Sequence, residues 1–173
     1  AYACAAASPS VRRIRTARCA QSSASSVSPI MNRCRESRTR LLDLSVGVVE
    51  NLRRAGPCPT PTPEDYCGVF QVCLPYQGLF VWHVGGEEVV GDSNQVIFVR
   101  AGEGYRMSAP VAGGYRELVV TPRLDVLADI AGTGEAKLAD HPLFRRRAAL
   151  GSPALLSARA RFLHWASREP GLD

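Results

Sequence analysis

Between residues 69 and 121 short apolar segments are cut at close spacing by glycine, asparagine and aspartate, and this pattern constrains the fold more than any other feature. It predicts an antiparallel barrel or sandwich. Residues 69–76 place Phe70, Val72, Leu74 and Tyr76 on one face, and residues 79–84 align Phe80, Trp82 and Val84, because side chains alternate along a strand. Gly85-Gly86 makes a two-residue hairpin turn. Further strands are predicted over 87–90, 95–100, 105–110 and 115–121, separated by Gly91-Asp92-Ser93-Asn94, Gly102-Glu103-Gly104 and Gly113-Gly114.

Upstream, Leu42, Leu44 and Val46 alternate and an apolar run at 48–52 ends at Arg53-Arg54-Ala55-Gly56, which predicts one or two short strands. Prolines at 57, 59, 61 and 63 remove every second amide donor and hold that segment extended as a surface connection. After Pro122 the texture changes. Leu124, Leu127 and Ile130 predict a short helix closed by Gly132-Thr133-Gly134. Ser152-Pro153 supplies an N-cap and a first-turn proline for a helix over 153–168, striped by Leu155, Leu156, Arg159, Phe162, Leu163 and Ala166. The stripe can bury against the barrel or against a twin helix, and periodicity does not separate the two.

At 173 residues with 46% hydrophobic content, the chain is sized for one buried core. Its formal charge of +5 invites a nucleic-acid reading, but the excess lies at the front: residues 1–40 carry eight arginines against Glu36 alone. The remainder is slightly acidic and lacks the clustered cations that phosphate binding requires. Arg145-Arg146-Arg147 reads as a solvated charge run. Residues 1–37, rich in alanine, serine and arginine, are expected to form a disordered basic leader, with Met31 an alternative start to Ala1. Six cysteines fall into no C-x-x-C pair, so neither a disulfide framework nor a zinc site is expected. No apolar run is long enough to span a membrane, and the expected location is cytoplasmic.

The stretch GDSNQVIFVRAGEGYRMSAPVAGG, residues 91–114, resembles the sensing domains of AraC/XylS-type transcriptional regulators. The resemblance rests on the trio at 98–100, the Gly102-Glu103 turn and the Tyr-Arg-x-Ser-x-Pro run at 105–110, in that order, with LFVWHVGGEEVVGDSNQ upstream agreeing. It covers roughly residues 38–168. It implies a mainly β fold with C-terminal helices: a cupin-like antiparallel β-barrel, or double-stranded β-helix, over 38–122, then a helical dimerisation segment over 123–173. It further implies a homodimer, a small-molecule effector of unknown identity, and DNA contact only through a helix-turn-helix domain absent from this chain. No enzyme activity and no cofactor are expected.

Trp82, His83, Phe98, Arg100 and Tyr105 are the candidate effector contacts, and Leu156, Phe162 and Leu163 the candidate dimer contacts. Core packing is the competing role for the aromatic residues. The alternatives to a regulator are a metal-dependent cupin enzyme and a degenerate dimerisation module. Against the enzyme stand the three histidines, His83, His141 and His164, which are scattered, while Tyr105 falls where a metal-binding cupin has histidine. No metal site is expected. Ser-His-Asp catalysis is also unexpected, since no G-x-S-x-G elbow and no pairing for a histidine is visible.

Overall fold

The structure, a computed structural model, describes residues 35–168. The expected leader therefore lies outside the described residues, apart from Arg35, Glu36 and Ser37, which already belong to a strand. The strands are β1 (Arg35–Leu44), β2 (Gly47–Ala55), β3 (Asp65–Tyr66), β4 (Gln71–Gly78), β5 (Phe80–Val84), β6 (Glu87–Gly91), β7 (Gln95–Val99), β8 (Gly104–Ser108), β9 (Tyr115–Pro122) and β10 (Ala148–Leu150). Helices α1 (Leu124–Ala131), α2 (Pro142–Arg146) and α3 (Pro153–Ala166) follow β9, with a 3-10 turn at Glu135–Asp140.

All strand pairs are antiparallel, in a six-stranded sheet of order β1-β2-β9-β4-β7-β10 and a four-stranded sheet of order β3-β8-β5-β6. No ladder joins the two sheets among the described residues, so the barrel is not closed by hydrogen bonds. Phe80, Trp82, Val84 and Met107 of the small sheet meet Leu52, Cys73, Ile97, Tyr115 and Val119 of the large one in the main core. The turn at Gly85-Gly86 has positive φ at both residues, 57° and 82°, the geometry that matches a two-residue loop to strand twist.

The large sheet is buried on its outer side as well. Val72, Leu74 and Tyr76, with Val96, Leu118 and Val120, pack under Leu155, Phe162 and Leu163 of α3. Phe70 and Phe98 pack with Leu127, Leu138 and Phe144 of the preceding helical segment. The apolar stripe read on residues 69–76 thus faces the helices, while the other parity, Cys73 and Pro75, faces the interior.

The alternating prolines lie beside β8. Cys58 exchanges backbone hydrogen bonds with Ala109, and Thr62 N donates to Met107 O at 2.8 Å, so the non-proline amides between the prolines do the pairing. Three expectations need correction. Val46 does not continue the β1 alternation; the chain turns at Ser45-Val46, leaving Val46 exposed. The segment after Pro122 is not purely helical, because Ala148–Leu150 pairs with β7 and extends the large sheet. Cys58 is disulfide-bonded, whereas Cys67 and Cys73 are free thiols.

Arg147 departs from the solvated charge run expected of residues 145–147. Its side chain is 16% exposed and pairs with Glu103 at 2.7 Å and Glu87 at 3.1 Å. Its backbone holds φ at 63°, rare for a residue with a side chain, and its carbonyl accepts from Phe98 N at 2.7 Å. Arg147→Ala should cost about 1–3 kcal/mol, chiefly by stranding the half-buried Glu103 carboxylate, since the Glu87 partner is largely exposed. A urea midpoint equal to that of the parent chain would refute the clamp.

Candidate functional site

The polar residues of the interior gather where β1, β2 and β9 lie side by side. The register pairs Glu36 with Arg54, Arg38 with Leu52, Leu52 with Glu117, and Arg54 with Tyr115. Leu52 and Tyr115 belong to the main core, so strand alternation sets Glu36, Arg38, Arg54 and Glu117 on that same inner face.

Arg54 Nη2 donates to Glu36 Oε2, and Arg38 Nε donates to Glu36 Oε1 at 3.3 Å. Burial pushes the Glu36 carboxyl up, but the bond and charge of Arg54, then those of Arg38, outweigh it and hold the group below its ordinary value. Glu117 differs. It is 4% exposed, its Oε2 has no hydrogen-bond partner, and burial pushes its pKa up to about 8 against the pull of Arg38 and Arg54. A neutral carboxyl is therefore the resting form near pH 7. Arg54 Nε is a second buried atom without a partner. Tyr115, Tyr105 and Cys73 complete the surroundings, each pushed above its ordinary value, first by burial.

Of the residues singled out from the sequence, Trp82 and Tyr105 meet in the interior, with ring centroids 6.0 Å apart in an edge-on arrangement. The Tyr105 hydroxyl donates to Asp65 Oδ2 at 3.4 Å. His83 lies on the opposite face of β5 from Trp82, in an open groove of about 320 Å³ that also includes Glu64, Glu88, Tyr105 and Arg106. Phe98 sits on the outer face of the large sheet, its ring 6.1 Å from that of Phe144. Arg100 follows β7 and is half-buried. The five residues do not form one pocket. On α3, Phe162 and Leu163 pack on the chain's own sheet, while Leu156 lies over Gly151.

One pairing overturns an expectation. His83 Nε2 is 2.9 Å from Ser108 Oγ, and His83 Nδ1 is 3.3 Å from Glu88 Oε1, so a histidine does find a serine and a carboxylate. Ser108 is 5% exposed. In this arrangement the chain of contacts ties β5, β6 and β8 together. Among the described residues, no three His, Cys, Asp or Glu side chains group closely enough to hold a metal ion.

Sequence reading missed Glu36, Arg38, Arg54 and Glu117. The available signal was Glu117 itself, a carboxylate of β9 in phase with the inward Tyr115 and Val119 on either side of it along that face. The arginines carried less signal, since Arg38 directly follows the expected leader of residues 1–37 and Arg54 reads as part of the Arg53-Arg54-Ala55-Gly56 break.

No family model matches the chain, and no curated protein matches it. Among solved structures it is similar to a cupin superfamily protein from Desulfitobacterium hafniense, with 15% identity over 51% of this chain and 77% of that one and a TM-score of 0.43. The EutQ protein of Clostridium difficile shows 16% identity over 51% and 68%, with a TM-score of 0.44. The polyketide cyclase RemF from Streptomyces resistomycificus shows 17% identity over 50% and 64%, with a TM-score of 0.44. These partial likenesses carry no argument about ligand or activity. Among the described residues, no helix is long and apolar enough to cross a membrane.

Proposed function

We propose that the chain is the effector-sensing and dimerisation domain of an AraC-type transcription regulator, acting without catalysis and relaying ligand binding to a separate helix-turn-helix unit. One observation carries the relay. Glu117 pairs across the sheet with Pro75, where β4 is bulged, and the Pro75 carbonyl accepts a hydrogen bond from Arg159 of α3. The same guanidinium nitrogen donates to Ser93 O at 2.9 Å. A ligand beside Glu117 therefore lies across one strand pair from the contact that docks the terminal helix. It can bias helix docking only by binding the two docking states unequally.

Leu156, Phe162 and Leu163 are the proposed dimer contacts through the part of each that the chain's own sheet leaves uncovered, with Trp165, 42% exposed and in tilted ring contact with Phe162 at 5.5 Å, extending that face. The test is a fusion of the 173-residue chain to a DNA-binding unit that occupies its operator only when paired. Operator occupancy is expected, and Leu156→Asp is expected to reduce it at least tenfold while leaving the circular dichroism spectrum unchanged. A fusion that sediments as a monomer and leaves the operator empty would overturn the reading.

A further inference from the structure

Two buried polar atoms at the β1–β2–β9 corner lack partners among the described residues: Arg54 Nε–H, a donor, and Glu117 Oε2, an oxygen of a carboxyl that can donate while it keeps its proton. Arg54 and Glu117 are diagonal neighbours, because Arg54 faces Tyr115 and Leu52 faces Glu117 in the ladder. Side chains so placed on adjacent strands reach a common point. Buried polar atoms are almost always paired, so two at one corner mark a place where a partner outside the described residues fits.

The local charge says what kind of group fits. The guanidiniums of Arg38 and Arg54 share Glu36 as their close carboxylate. Glu50 stands further off, 3.6 Å from Arg38, and is shared with Arg40. With Glu117 uncharged, the carboxylate that the described residues give Arg54 is Glu36, which it shares with Arg38. We propose that the corner binds the carboxylate of a small monoanionic acid, one oxygen accepting from Arg54 Nε–H and the other from the Glu117 carboxyl proton. Arginine suits this role because its fork matches a planar carboxylate. The inference rests on reading the barrel interior as the effector site, and it names the effector's chemical class.

Binding in this form requires the Glu117 proton. The groups facing it are Glu36 and Arg38 on β1, Arg54 on β2, Cys73 on β4 and Tyr115 on β9, with Tyr105 on β8 beside Glu36 and Arg38. Cys73 and both tyrosines hold their protons more tightly than usual, and Glu36 and the arginines stay charged, so Glu117 is the member that titrates between pH 6.5 and 9. Losing a proton that binds at about 8 lowers affinity about tenfold by pH 9.

The experiment is an NMR titration of the whole 173-residue chain with sodium acetate, and separately with acetamide as its neutral counterpart, at constant ionic strength. Acetate is expected to shift the Arg54 Nε–H resonance with about tenfold lower affinity at pH 9 than at pH 6.5. Glu117→Gln, which keeps a donor, should bind acetate equally at both pH values. Arg54→Lys, which keeps the charge but moves the donor, should weaken binding at least tenfold. Acetamide binding as tightly as acetate would overturn the proposal. So would an Arg54 resonance that acetate does not move, or a pH dependence that survives in Glu117→Gln. Acetate binding by a chain whose fusion never pairs would keep the anion site and remove the regulator reading; pairing without acetate binding would do the reverse.

Discussion

Replacing Glu117 by glutamine should stabilise the fold by about 3–5 kcal/mol at pH 8 and change little at pH 4. The folded chain keeps the Glu117 proton up to about pH 8, whereas the unfolded chain releases it near the ordinary value of 4.5. Below pH 4.5 both states are protonated and the ionisation makes no difference between them. As the pH rises from there, the unfolded state gains by ionising and the folded state does not, so stability falls by about 1.4 kcal/mol per pH unit until the folded group also ionises. Glutamine preserves the shape and a hydrogen-bond donor, and removes the ionisation. Glu36 acts in the opposite sense: its lowered value contributes stability at neutral pH that is lost as the pH falls through it. Urea unfolding of parent and variant at pH 4.5, 6 and 8 reads the effect directly. Two parallel stability profiles would mean that Glu117 ionises at its ordinary pH and that its burial is not felt.

That carboxyl also shows where sequence reasoning stops. Strands β4 to β9 were legible because each is bounded by turn residues whose backbone demands are local, as at Gly85 and Gly86 with their positive φ. Helix α3 was legible from Ser152, whose Oγ accepts from Leu155 N at 3.3 Å, and from the proline beside it. Strand β1 was only partly legible. Its Arg-Glu-Ser-Arg start carries no apolar alternation, because its inward residues pair with one another and with Arg54 instead of entering the apolar core. The short strand β10 was hidden for a related reason: three residues gain strand structure only from pairing with Gln95, Val96 and Ile97, which are about fifty positions earlier.

The candidate site failed differently. Trp82, Phe98 and Tyr105 were grouped as aromatic residues of neighbouring strands, yet parity sends Phe98 outward and the other two inward. A one-residue difference in phase decides the face, and the phase of β7 is readable only once both of its faces are known to be buried. Val96 and Ile97, adjacent and both buried, conceal it. The Arg54–Glu36 and His83–Ser108 contacts join residues 18 and 25 positions apart, and no spacing rule links them.

Arg159→Met is expected to cost about 2–4 kcal/mol and to loosen α3 selectively. Arg159 has no carboxylate partner among the ion pairs of the described residues; its Nη1 donates to the carbonyls of Pro75 and Ser93, which belong to the β4 bulge and to the turn before β7. Burial alone lowers its pKa, and these two carbonyls are the groups that hold the charge in place. Methionine keeps the apolar stem but removes the donor that both carbonyls share, so the loss falls on the docking of α3 rather than on the main core. Hydrogen exchange separates the two. Amides of 156–166 should lose protection by about tenfold or more, while those of β5 and β8 lose only what the global change in stability dictates. Equal loss in helix and sheet would show that Arg159 supports the fold generally and docks nothing in particular. The same residue tests the relay against mere adjacency. Pro75 lies between Glu117 and Arg159, so a double-mutant cycle of Glu117→Gln with Arg159→Met should give a coupling of about 0.5 kcal/mol or more, whereas additive effects would mean that the interior and the terminal helix do not sense one another.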